Sequence, residues 1–127
     1  MKIVTADRVL DASALAALTF NEPQGPAIET RLAGAVLYAP SLIDVEMASV
    51  CLKKIRAALY PRATILQWHS GYSSVEIQRM EIAFTEVIDL AERTKLSFYD
   101  ASYLWLARHL GAELVTLDAK LAKADSA

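Results

Sequence analysis

The sequence has a single cysteine, Cys51, and two histidines, His69 and His109. A lone cysteine cannot close an internal disulfide, and its apolar setting suits a small buried hydrophobe, so a reducing compartment fits. The histidines lie far apart and no cysteine pair accompanies them, which excludes the usual zinc-binding patterns. Glycine and proline are also scarce, four of each. Apart from NEPQGP at residues 21–26 and weak breaks near Pro61 and Gly71, they do not cluster, so nothing reads as an interdomain linker. No repeat and no low-complexity segment occurs. No apolar run approaches the ~18 residues that a membrane span requires. The N-terminal MKIVTADRVLDAS has too short an apolar run and too many charges for a signal peptide, and a cytoplasmic location is expected. Positive charge is not in excess either: 13 Lys and Arg face 15 Asp and Glu, for a net charge of -2. No overall field therefore draws in a polyanion, and any contact with nucleic acid must rest on local basic patches or bound cations.

What remains is enough for a core. With 127 residues, 54% of them hydrophobic, the chain suits one compact domain spanning residues 1–127. Three short runs rich in Val, Leu and Ile read as buried strands: Arg8 to Asp11 with part of the preceding IVTA, Ala35 to Ala39, and Glu113 to Leu117. Helical patterns separate them. Ser13 to Phe20 is ended by NEP, and Ala27 to Leu32 by Ala33 and Gly34. Ser41 is placed to cap a helix over residues 41–59, where Leu42, Val45, Ser49, Leu52, Arg56 and Leu59 recur at steps of three and four. Met47, Val50 and Cys51 lie on other sides, so the first half of this helix is apolar nearly all round, either deep in the core or covered by a partner. Ala63 to Ile82 reads as broadly helical, interrupted by Gly71 and two serines. Phe84 to Arg93 is a further helix. Asp100 to Leu110 is another, with Asp100 as its cap and Gly111 as its stop. Strands alternating with helices predict an α/β fold with a mainly parallel sheet, since parallel neighbours need crossover connections.

Two of the strand runs, VLD and VTLD, end in aspartates, Asp11 and Asp118. Ligands bind beyond the carboxyl ends of strands in such sheets, so both should face one edge. Asp100 opens its helix after SFY, and Glu46 lies early on the helix after the second strand. Taken alone, Asp11, Asp100 and Asp118 are ordinary helix caps. Glu46 is different: it flanks an apolar stripe, where a charge does not stay buried uncompensated. Four converging carboxylates repel one another, an arrangement that makes sense around a cation. Oxygen donors alone favour Mg2+ or Mn2+ over Zn2+, and such ions suit hydrolysis of a phosphate ester by an activated water.

Three segments carry a family resemblance: VLDASALAAL followed by NEP, then APSLIDVEMASVCLK, then LSFYDASYLWLARHLGAELVTLDAKL. They resemble the PIN domains, and among them the VapC-type toxins of toxin-antitoxin pairs. The resemblance implies a PIN-like three-layer fold, a central mainly parallel sheet flanked by helices. It matches Asp11, Glu46, Asp100 and Asp118 to the family's four metal-binding, catalytic acids. Ser13 and Thr116 resemble hydroxyl residues that support the metal in the family, although a capping or strand role explains them equally. The implied protein is a Mg2+- or Mn2+-dependent endoribonuclease, dimeric and held inactive by a VapB-like antitoxin. Arg62 to Met80 matches nothing in the family, and after the last helix the further strand common in the family is not evident.

Other residues have simpler explanations. Lys53, Lys54, Arg56 and Arg62 could touch phosphates, but a solvated helix face explains them as well. Trp68, Trp105, Tyr99 and Tyr103 could stack on bases, yet core or interface positions suit them better. Two competing functions fit the residues less well. A non-catalytic PIN-like binding module would be expected to have lost at least one acid. A phospho-acceptor receiver domain needs paired acids after its first strand, where this chain has Asp11 followed by Ala12 and Ser13.

Overall fold

The computed structural model describes residues 6–127; the IVT part of the first strand run lies outside them. Four parallel strands form one sheet in the order β3-β2-β1-β4. Strand β1 (Asp7–Leu10) leads into helices α1 (Ala12–Thr19) and α2 (Gly25–Leu32) and then β2 (Val36–Pro40). Next come α3 (Ile43–Ala57), α4 (Arg62–Gly71) and a 3-10 turn over Tyr72–Ser74, before the short β3 (Gln78–Met80). Helices α5 (Phe84–Thr94) and α6 (Phe98–Leu110) precede β4 (Glu113–Val115), and α7 (Ala119–Asp125) follows. Helices α1 to α4 pack among themselves, as do α5 to α7, with α6 lying on β1, β2 and β4. The expected three-layer α/β architecture is thus present.

Helix α1 sits at the centre of its layer, touching α2, α3 and α4. Its alanines make that possible: Ala12, Ala14, Ala16 and Ala17 are buried with Leu15, and small side chains let neighbours approach closely without loss of helix propensity. Gly25 belongs to the same packing. A Cβ there would stand 2.8 Å from the Ala17 carbonyl oxygen, so only glycine lets α2 begin against α1. One apolar cluster runs through both helical layers, from Leu15, Ile28 and Met47 to Val87, Leu104 and Leu121. No helix among the described residues is long and apolar enough to cross a membrane.

Four sequence expectations need correction. The stretch Ala63 to Ile82 is not one helix: α4 stops at Gly71, and Gln78–Met80 form the edge strand β3. This strand is too short and polar to be read as one. It is held by its ladder to β2 and by Arg79, whose guanidinium grips Asp44 on α3 at 2.6 and 2.9 Å. Second, α3 buries Ile43, Met47 and Cys51, not the stripe through Val45 and Leu52, which are 65% and 45% exposed. Third, Ser41 does not cap α3; its backbone N–H donates to the Met80 carbonyl instead. Fourth, Asp100 does not cap α6. Ser97 does, its hydroxyl accepting from the Asp100 N–H at 3.1 Å.

Candidate active site

From β1 the sheet continues to β2 on one side and to β4 on the other. Chains leaving the carboxyl ends of such neighbours diverge and open a crevice, where α/β folds place their ligands. Asp11 stands there, directly after β1, and is 3% exposed. It is also the N-cap of α1: Oδ1 accepts from the Ala14 N–H at 2.9 Å. Ser13 Oγ donates to the same oxygen at 2.7 Å, and Thr116 Oγ1 donates to Oδ2 at 2.6 Å. These hydroxyls also hold the segment between β4 and α7. Ser13 Oγ accepts from the Leu117 N–H at 2.9 Å, and Thr116 Oγ1 from the Asp118 N–H at 3.0 Å. Ser13 and Thr116 therefore brace Asp11 and carry its position over to Asp118. Asp118 is itself the N-cap of α7, accepting from the Leu121 N–H at 2.9 Å.

The other two acids reach the crevice from helices. Glu46 is half-buried one turn into α3, and Asp100 is half-buried in the first turn of α6. Each of the four carboxylates is within electrostatic reach of at least two of the others. Burial pushes the Asp11 carboxyl up, against the pull of its three hydrogen bonds, and Asp118 adds to the rise. Burial likewise raises Glu46, with Asp100 and Asp11 adding to it. Asp100 is raised by burial, then by Asp118 and Asp11. Two cations offset this at the rim: Lys53 acts on Glu46 and Lys120 on Asp100. Lys54, by contrast, is taken up by an ion pair with Glu22 at 2.7 Å.

Tyr103 lies in the core, one of the positions the sequence suggested for it, and it also borders Glu46. It is 1% exposed on α6, and its hydroxyl is pushed far up by burial, then by Glu46, so it stays protonated. Its oxygen and Glu46 Oε1 are both buried without a hydrogen-bond partner of standard geometry. Even so, they are near enough that the hydroxyl offsets part of the rise of Glu46. Two facing orphan polar atoms in one crevice mark a place where a further group would satisfy both. The signal in the sequence was spacing, since Tyr103 lies three residues after Asp100 on the same helical face.

The fit to a cation is good in chemistry and incomplete in geometry. All donors are carboxylate oxygens, which suit Mg2+ or Mn2+, and Glu46 Oε1 has no protein partner. Among the described residues, however, no three His, Cys, Asp or Glu side chains are gathered closely enough to cage an ion as they stand.

Comparison with known proteins agrees with this architecture. A PIN-domain family model matches residues 8–127. Ribonuclease VapC12 of Mycobacterium tuberculosis is 30% identical over 115 residues, covering 91% of this chain and 89% of that protein. Ribonuclease VapC9 of the same organism is 32% identical over 122 residues, covering 89% and 87% respectively. The crystal structure of PAE2754 from Pyrobaculum aerophilum matches at a TM-score of 0.74 and 26% identity, over 95% of this chain and 87% of that one. The chain belongs to the PIN-domain family, in its VapC branch.

Proposed function

We propose that this chain is a Mg2+- or Mn2+-dependent endoribonuclease, the toxin of a type II pair, with residues 1–127 acting as one cytoplasmic catalytic domain. The observation that carries the reading is the convergence on Asp11, a buried aspartate braced by Ser13 and Thr116 and within electrostatic reach of Glu46, Asp100 and Asp118. RNA as substrate is supported by the names of the VapC12 and VapC9 relatives.

Asp11, Glu46, Asp100 and Asp118 would hold the ion, which when bound supplies Lewis acidity at a phosphodiester and makes water a better nucleophile. The chain's own groups prepare that site. Ser13 and Thr116 fix both oxygens of Asp11 before any ligand arrives. Tyr103, kept protonated, offers Glu46 a donor from the buried side. Lys53 and Lys120 reduce the negative field that an approaching phosphate meets.

Purified protein should cleave RNA with Mg2+ or Mn2+ and stop when the ion is chelated. Asp100→Asn should lose at least about 100-fold of the rate while staying folded, because Ser97 and not Asp100 caps α6. Undiminished cleavage by that variant would sink the assignment. A second reading, a non-catalytic module acting through partner contacts, draws on the open spacing of the acids; failure to bind Mn2+ would favour it.

Partners follow from the same reading. A homodimer is supported by apolar side chains left uncovered: Val45 and Leu52 on α3, and Phe84 and Ile88 on α5, at 65% and 56% exposure. Sedimentation of Ile88→Glu against the parent chain tests it, a parent that runs as a monomer being contrary. A VapB-like antitoxin is supported by the family alone. A small DNA-binding protein encoded directly upstream would distinguish a toxin from a housekeeping nuclease.

A further inference from the structure

The face of α3 that carries Glu46 does not end there. Val50, Lys53, Lys54 and Ala57 continue it at helical spacing and line a hollow of about 350 Å3. That size lies within the roughly 300–1,000 Å3 typical of sites for small molecules. Its opposite wall includes Tyr60 and Trp68, which meet edge to face with ring centroids 5.0 Å apart and planes at 71°. Tyr60 is 57% exposed at the mouth.

The two lysines here are not equivalent. Lys54 is bound to Glu22 and lies 5.3 Å over the Phe20 ring, so its charge is already used inside the fold. Lys53 is exposed and forms no ion pair among the described residues. It stands two turns beyond Glu46, roughly 10 Å along the axis at 1.5 Å per residue. An exposed, unpaired cation beside an exposed tyrosine ring, itself backed by a half-buried tryptophan, is the pairing that grips single-stranded nucleic acid, with the charge on the phosphate and the ring against a base. In a chain of net charge -2 with four acids at one edge, a local cation of this kind is what the substrate strand would need.

We propose that this hollow is a single-stranded RNA subsite, a base packing on the Tyr60–Trp68 pair and an adjacent phosphate held by Lys53, so that the strand runs along α3 toward Glu46. It rests on the ribonuclease reading for the direction of the strand, though not for binding itself. A polypeptide segment is the other occupant the lining could take, but only a nucleic acid brings an anion beside every ring that could pack on Tyr60.

The test uses the full chain and a fluorescein-labelled pool of short single-stranded RNA. Anisotropy gives affinity against salt concentration in the Asp100→Asn background, and cleavage of the same pool by otherwise intact chains gives KM and kcat. Lys53→Gln should weaken binding about tenfold and reduce the slope of log affinity against log salt by about 0.7, the value for one phosphate contact on a single strand. Lys53→Arg should restore both. Tyr60→Ala, at an exposed position that folding does not depend on, should weaken binding with the salt slope unchanged. In the active chain the loss in Tyr60→Ala should fall on KM and leave kcat near the parent value. Cleavage by the parent with KM and salt slope unmoved in Lys53→Gln and Tyr60→Ala overturns the subsite while the ribonuclease stands. Binding that depends on Lys53 in a chain that cuts no RNA keeps the subsite and removes the ribonuclease. Variants that bind RNA normally but lose a polypeptide partner overturn it in favour of protein docking, and a parent chain that binds no RNA overturns it outright.

Discussion

Asp11 and Asp118 each do two things, and Asp100 does one. The first two satisfy backbone N–H groups at helix starts while contributing charge to the crevice. Asp100 contributes charge and caps nothing, since Ser97 has that place. The difference is measurable without activity. In metal-free protein, Asp100→Asn should raise the melting temperature by a few degrees by relieving repulsion. Asp11→Ala should cost about 1–2 kcal/mol, because it removes a cap and strands the Ser13 and Thr116 hydroxyls. Equal shifts in thermal melts would contradict the division. The sequence held the clue to Asp100: Ser97-Phe98-Tyr99-Asp100 is a capping-box pattern whose serine precedes the acid by three. Tyr103 was harder to foresee, because an apolar helix around it makes a core role look sufficient. Tyr103→Phe should leave stability within about 1 kcal/mol, as the buried hydroxyl it removes meets Glu46 only outside standard hydrogen-bond geometry. Glu46 would lose its one offsetting donor and titrate higher, so divalent-ion binding should weaken and need a higher pH. Binding unchanged across pH in that variant would separate Tyr103 from the site.

At the scale of elements, α3 shows what periodicity can and cannot decide. Two apolar stripes share this helix, one through Ile43, Met47 and Cys51 and one through Val45 and Leu52. Helical spacing fits both, and only the packing of α1 and α4 against it selects the first. Met47→Ala should therefore cost about 2–5 kcal/mol in urea unfolding, and Leu52→Ser within about 0.5 kcal/mol under dilute conditions. The reverse order would mean the helix is rotated. The hydrophobic strands, α1 and the stop of α6 at Gly111, with φ of 63°, were legible because runs, alanine content and glycine each have a local cause. Strand β3 was not, since its order comes from the Asp44–Arg79 pair and from a neighbouring strand distant in sequence. No local pattern in QRM encodes either.

At the scale of the molecule, stability and site oppose each other. Asp11, Glu46 and Asp100 all titrate above their ordinary values, mainly through burial. A carboxyl raised on folding adds stability that is complete below its unfolded pKa and is lost as pH rises through the folded one. Asp44 and Glu113 work the other way. Held low by Arg79 and by Arg31 respectively, they stabilise above the ordinary carboxylate range and cease to do so as pH falls below it. Both are surface pairs and should weigh less than the buried acids. Metal-free protein should therefore melt higher at about pH 5 than at neutrality, with the gain reduced in Asp100→Asn. A melting temperature that only falls on acidification would contradict this. The approach of four acids, Asp11 after β1, Glu46 on α3, Asp100 on α6 and Asp118 before α7, was visible in the sequence only through their order and flanking runs. Their coupling, in which Asp11 and Asp100 are each within reach of the other three, depends on the β2-β1-β4 arrangement and emerges only in three dimensions. The most direct test of this convergence is calorimetric titration of the full chain with Mn2+ at neutral pH. The parent should bind the ion with release of protons, and both Asp100→Asn and Glu46→Gln, folded by circular dichroism, should lose that heat. A parent that binds no Mn2+, or variants that bind it as well as the parent, would contradict a metal site built from these carboxylates.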